Sequence, residues 1–293
     1  MGWVGTMGLE RKPLSRRNVL RYLATGGLAG GATIAAASVA SATGLGSLES
    51  LFGTSESTPS TASTPPAPVS APAAPAVPAE EPAPAAPSSN DVGGDLIDYA
   101  GGVPSAAAIA AAGFKGAIRY VSDRRPGAEW MVGKPMLQTE AQALQAAGLA
   151  VVSCYQFGKG DTSDWRGGYD AGLKHAKRGL ELHLAAGGPK NKPIYMSIDD
   201  NPTFDEFETL IAPYLKGCQE VLGKSLTGVY ANAPTIGWAT DAGFGTYFWQ
   251  HNWGSNGVVH PAAHIHQYEI DKFTVDGVGV DRNKILKADY GRW

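Results

Sequence analysis

Ile194-Tyr195-Met196-Ser197-Ile198-Asp199-Asp200 is a short, mostly apolar run that closes on two carboxylates. Its length and composition predict a buried strand ending in an acid. Leu96-Ile97-Asp98-Tyr99 and Gly277-Val278-Gly279-Val280-Asp281 repeat the pattern. In a barrel of alternating strands and helices, the C-terminal strand ends meet at one face, so distant carboxylates would converge there.

The sequence around these runs supplies the alternation. Strands are expected at 95–99, 117–121, 150–155, 193–198, 227–231, 247–250, 264–268 and 277–281, and helices at 105–112, 138–147, 168–186, 203–222 and 234–242. Pro104 and Pro202 stand near helix starts, and Gly113, Gly148, Gly187 and Gly223 lie just past helix ends. Thr203 with Glu206 predicts a capping box. The connections after the sixth and seventh strands are irregular in composition. The fold class expected is α/β, a compact (β/α)8 TIM-like barrel over 93–293. An open doubly wound sheet is the alternative, although no Gly-rich phosphate loop follows the first strand.

The chain before the barrel has a different character. Ser15-Arg16-Arg17-Asn18-Val19-Leu20-Arg21 precedes a weakly apolar Ala/Gly-rich stretch and the small-residue site Ala40-Ser41-Ala42. Residues 1–42 are therefore expected to be a twin-arginine export signal, an address rather than an anchor, with no stable membrane insertion after cleavage. Residues 43–92 are expected to form a disordered Pro/Ala/Ser/Thr-rich linker, with ten prolines between Pro59 and Pro87.

Charge narrows the partners. The whole chain carries −3 and residues 1–42 carry +4, which leaves −7 for the remainder. An acidic exported protein is poorly suited to nucleic acid or to anionic membrane surfaces, so a neutral or small polar ligand is expected. Cys154 and Cys218 are available for one disulfide, with nothing in the sequence to bring them together. Neither a CxxC pair nor a zinc-type cysteine set is present, and no cofactor is expected.

Alternation along the fourth strand places Tyr195, Ser197 and Asp199 on one face. Asp98 and Asp281, on the first and last strands, become neighbours when a barrel closes. Tyr155 and Tyr230 stand at strand ends as cleft aromatics, and Arg119 is a candidate partner for an acid in the mouth.

These residues carry a family resemblance. The domain resembles the glycoside-hydrolase-like barrel of unknown function found in exported actinobacterial proteins. More distantly, it is similar to glycoside hydrolase family twenty-five lysozymes. Asp98 matches the acid ending their first strand, and Asp199 falls where their Asp-x-Glu motif carries its glutamate. Gly228-Val229-Tyr230-Ala231-Asn232, His266-Gln267-Tyr268 and Asp281-Arg282-Asn283 resemble their motifs on the fifth, seventh and last strands. Where those lysozymes have Asp-x-Glu, this chain has Ser197-Ile198-Asp199.

The resemblance implies action on a cell-envelope carbohydrate such as peptidoglycan. Asp199 is then the expected general acid, supported by Asp98 and Asp281, with Tyr230, Gln267, Tyr155, Arg119 and Asp200 contacting substrate. A non-catalytic carbohydrate-binding barrel is the alternative. Asp199-Asp200 with His260 and His264 also resembles a polysaccharide deacetylase metal set, although no metal site is assigned. Oligomeric state stays open.

Overall fold

In a computed structural model, the structure describes residues 91–293. The export signal and nearly all of the linker expected over 1–92 lie outside the described residues.

Eight strands close into a barrel in sequence order. They are β1 (Asp95–Asp98), β2 (Gly116–Tyr120), β3 (Ala150–Tyr155), β4 (Ile194–Ser197), β5 (Thr227–Ala231), β6 (Tyr247–Gln250), β7 (Ile265–Val275) and β8 (Val278–Ile285). Neighbours from β1 to β7 pair in parallel, whereas β8 runs antiparallel to both β7 and β1.

The expected (β/α)8 TIM-like barrel is therefore corrected to a closed mixed barrel with fewer helices. Helical crossovers follow only the first five strands: α1 (Ala106–Ala111), α2 (Gln138–Ala146), α3 (Gly168–Ala185), then α4 (Phe204–Glu206) leading through a π-helical turn at Phe207–Ile211 into α5 (Ala212–Leu222), and α6 (Ala233–Asp241). A parallel crossover needs a dozen or more residues. The turn between β7 and β8 holds only Asp276 and Gly277, both with positive φ, so the chain reverses into a hairpin.

Side-chain alternation divides the apolar residues into two cores. Leu96, Ile118, Val152, Tyr195, Tyr230, Trp249, Ile265 and Ile285 fill the barrel interior. Ile97, Ala117, Val151, Met196, Val229 and Phe248 point outward, against the helices. Removing each large apolar side chain from water contributes about 1.5–3 kcal/mol, so both faces of the strands favour closure.

Helix boundaries follow local chemistry. Ser105 caps α1 by accepting the Ala108 N–H, and Asn232 caps α6 by accepting the Thr235 N–H. Thr203 and Glu206 form the expected capping box at α4. Helices α3 and α5 pack with their backbones nearly touching: a Cβ on Gly172 would lie 2.1 Å from the Tyr214 carbonyl oxygen, and one on Gly217 2.3 Å from that of Tyr169.

Both cysteines are free and buried. Cys154 belongs to the barrel interior and Cys218 to the outer core. No helix among the described residues is long and apolar enough to cross a membrane.

Candidate active site

Asp98 and Asp281 are direct partners in the antiparallel β1–β8 pair, which puts both carboxylates on the same face. Asp98 is almost fully buried and collects donors. Its Oδ2 accepts Nδ2–H of Asn283 at 2.8 Å and Nε2–H of Gln267 at 2.9 Å, while its Oδ1 accepts the Tyr120 hydroxyl at 3.4 Å.

The two amides are themselves held. Trp249 Nε1–H donates to Asn283 Oδ1 at 2.7 Å, and the Tyr230 hydroxyl donates to Gln267 Oε1 at 2.7 Å. With their oxygens occupied, both amides turn N–H groups toward Asp98.

Gln267 Nε2 also lies 3.4 Å from Asp281 Oδ2, and the Asp271 N–H donates to Asp281 Oδ1 at 2.9 Å. Burial pushes the Asp281 carboxyl up to about 8, with the Asp98 charge adding to the rise. Burial also raises Asp98, against the pull of Asn283, Gln267 and Tyr120. A buried and a half-buried carboxyl group on facing positions, with no ion pair to either among the described residues, are best served by holding one proton between the pair. Asp98 accepts from three side chains, whereas Asp281 accepts only the shared Gln267 amide, at 3.4 Å, and one backbone N–H, which makes Asp281 the better place for the proton.

Asp199 has a different environment. Its Oδ2 accepts Gln156 Nε2–H at 2.9 Å and pairs with Lys159 Nζ at 2.8 Å, while its Oδ1 is buried without a partner among the described residues. The charges of all three acids act on Tyr120, whose hydroxyl also bonds Asp98, so they lie around the same end of the barrel. The Tyr120 phenol is raised by burial and then by the charges of Asp98, Asp281 and Asp199 among others.

Aromatic side chains line the same end of the barrel. The Tyr230 and Trp249 ring centroids are 4.0 Å apart, and His251 stacks on half-buried Trp253 at 3.9 Å. Burial lowers His251 to about 4. Lys134, buried across the Tyr120 ring at 3.9 Å, donates to the Gln156 carbonyl at 2.9 Å and is lowered by burial to about 8.

The structure thus brings together Asp98, Asp199, Asp281, Tyr230 and Gln267. It takes three other expected residues elsewhere. Arg119 alternates outward on β2, where it pairs with Glu140 at 2.5 Å and donates to the Tyr99 and Gly133 carbonyls. Tyr155 also points outward, its hydroxyl bonded to His175 Nδ1 at 2.8 Å. Asp200 accepts the Ser163 hydroxyl at 2.6 Å and Trp165 Nε1–H at 2.8 Å, anchoring a loop.

Tyr120, Gln156, Lys159, His251 and Asn283 join the site without having been expected. Strand parity held the signal for two of them: Tyr120 follows Ile118, and Asn283 follows Asp281, by two residues. No group of three or more His, Cys, Asp or Glu that would hold a metal occurs among the described residues, and the deacetylase alternative gains no site.

The glycoside hydrolase-like domain model described as Rv2525c-like matches residues 107–285. The chain belongs to this family. A curated relative from Mycobacterium tuberculosis, named "Putative peptidoglycan hydrolase Rv2525c", is 60% identical over 210 residues, covering 71% of this chain and 88% of its own length. A crystal structure of the Mycobacterium tuberculosis Tat-secreted protein Rv2525c with L-tartrate is 60% identical and superposes with a TM-score of 0.68, covering 69% of this chain and 99% of that one. A second crystal form, with HEPES, gives 59% identity and a TM-score of 0.67 over 68% of this chain and 98% of that one. The resemblance to a glycoside-hydrolase-like family seen in the sequence is thus borne out.

Proposed function

We propose that this protein is an exported glycoside hydrolase acting on a cell-envelope polysaccharide such as peptidoglycan, through the acids at the barrel mouth. The observation that carries this reading is the electrostatic inequality of the three carboxyl groups. Asp281 holds a proton near neutral pH without a cationic partner, whereas Asp199 is paired with a cation. Glycoside hydrolysis needs that division into a proton donor and a charged carboxylate.

Asp281 gives its proton to the glycosidic oxygen as the bond from that oxygen to the anomeric carbon breaks. Asp199 faces the developing positive charge and takes a proton from the water that adds to the anomeric carbon. Asp98 holds Asp281 in the protonated state. Tyr230 and Gln267 orient Asp98 and present polar atoms to the sugar, and Trp253 offers a face for stacking. The general-acid role expected for Asp199 thus passes to Asp281, because Lys159 already occupies Asp199.

Export by the twin-arginine route is supported by Ser15–Arg21 and by the description of the 60% identical relative as Tat-secreted. Residues 1–42 serve as the signal, 43–92 as the linker and 93–293 as the working domain.

Reducing ends released from purified peptidoglycan test the reaction. Wild type should release them, and Asp281→Asn and Asp199→Asn should each lower the rate by about 100-fold or more. Ser197 Oγ is buried without a partner among the described residues, where the lysozyme motif carries an acid, which favours the second reading, a carbohydrate-binding barrel. Polysaccharide binding without turnover, unchanged in Asp199→Asn, would establish it.

A further inference from the structure

We propose that Lys159 is a positioning residue that, with Gln156, clamps the Asp199 carboxylate so that Oδ1 alone is free to meet the reacting groups. Both donors bind Asp199 Oδ2, at 2.8 and 2.9 Å, and the other oxygen is left buried and unpartnered among the described residues.

A half-exposed lysine ordinarily adds little by pairing with a carboxylate, because holding its long side chain still costs entropy. Here the backbone that carries it is fixed on every side. The carboxylate of buried Asp164 accepts the N–H groups of Phe157 and Gly158, each at 2.8 Å. Gly158 lies so close to Thr162 that a Cβ would stand 1.7 Å from its carbonyl oxygen. The Thr162 hydroxyl bonds the N–H and C=O of Lys159, and Arg166 Nε–H donates to the Gly160 carbonyl at 2.9 Å. All of these contacts are internal to the loop that presents Lys159.

The clamp also explains why one acid differs from the other two. Besides Lys159, the titratable groups around Asp199 include His251 at the exit of β6, Tyr230 on β5, Tyr120 on β2, Cys154 on β3 and Asp281 on β8. Burial keeps His251 neutral at neutral pH, and the Lys134 ammonium bonds the Gln156 carbonyl rather than Asp199. Among the described residues, Lys159 is the one ammonium in an ion pair with any of the three acids. Arginine would keep the charge, whereas methionine keeps only the length.

The catalytic consequence rests on the hydrolase reading above, so the test has two arms. In the first, kcat and KM on peptidoglycan are measured for Lys159→Met and Lys159→Arg. The clamp predicts that kcat falls about 100-fold in Lys159→Met with KM within about twofold, and that Lys159→Arg recovers most of the loss. An unchanged kcat in Lys159→Met, or equal damage in both variants, would overturn the proposal.

The second arm needs no turnover. His251 faces both partners, and Lys159 depresses its protonation while Asp199 favours it. By NMR titration, the His251 midpoint should rise in Lys159→Met, stay in place in Lys159→Arg and fall in Asp199→Asn. A midpoint that ignores Lys159→Met would overturn the clamp even if wild type hydrolyses glycan. Absent turnover with a responsive His251 would overturn the hydrolase reading and support the clamp.

Discussion

Asp98 and Asp281 face each other across the β1–β8 pair, and the single amide nitrogen of Gln267 reaches both carboxyl groups, at 2.9 and 3.4 Å. Burial, and then the facing Asp98 charge, raise the proton affinity of Asp281. Because Asp281 is pushed up to about 8, a reaction that uses its proton should run below that value and fade above it. The rate of reducing-end release should show a falling limb centred near pH 8. A rate that holds level to pH 10 would remove Asp281 from the donor role.

The same proton affects stability. Folding raises Asp281 from 3.8 to about 8, so the folded state keeps a proton that the unfolded chain releases. The stabilising contribution of this uptake is fully present below pH 3.8 and is lost as pH rises through about 8. Asp281→Asn avoids that loss and should be more stable than wild type by roughly 1–2 kcal/mol near pH 8, with the difference shrinking toward pH 4. Denaturant unfolding at the two pH values checks the sign.

Asn283 is held by Trp249 and donates to Asp98, so it fixes the orientation of the Asp98 carboxyl group. Asn283→Leu removes a donor from a buried carboxylate and leaves the Trp249 N–H unpaired. Stability should fall by about 1–3 kcal/mol, and the falling limb should move as Asp98 draws more of the shared proton. An unchanged limb would mean that Asp98 and Asp281 titrate independently.

Arg119 and Asp200 should behave as scaffold. Arg119→Met leaves Glu140 buried without its cation and should cost about 3–5 kcal/mol. Asp200→Ala strands Trp165 Nε1–H and should cost about 1–3 kcal/mol. For each, thermal unfolding should shift while KM for peptidoglycan stays within about twofold, because neither side chain lines the cleft.

How far the sequence could be read follows from strand chemistry. Asp98, Asp199 and Asp281 were legible because each closes a short apolar run, and the structure brings them to one mouth. The last hairpin was not. Residues 269–275 of β7 mix Glu269, Asp271 and Lys272 with apolar side chains and are buried only at Val275, so they lack the buried run that marks the other strands. Their partner was nonetheless announced by Asp276-Gly277, a two-residue reversal that leaves no room for a crossover helix. That short turn is the reason the barrel is mixed.

Within the site, parity decided more than residue type. Ile118 and Tyr120 face inward on β2, which sends Arg119 outward, and Cys154 faces inward on β3, which sends Tyr155 to the helices. Lys159 and His251 left no comparable trace. Lys159 reaches Asp199 only through a loop shaped by Asp164 and Thr162, and His251 lies just beyond the end of β6.

In the proposed reaction the mouth acids hydrolyse an envelope glycan with Asp281 as the proton donor. Its most direct test is reducing-end release from peptidoglycan, measured across pH for wild type and Asp281→Asn. Wild type should turn over at a rate that declines through about pH 8, and Asp281→Asn should be slower by about 100-fold or more. Release that proceeds at the wild-type rate in Asp281→Asn, or wild-type binding of the polysaccharide with no release at any pH, would contradict it.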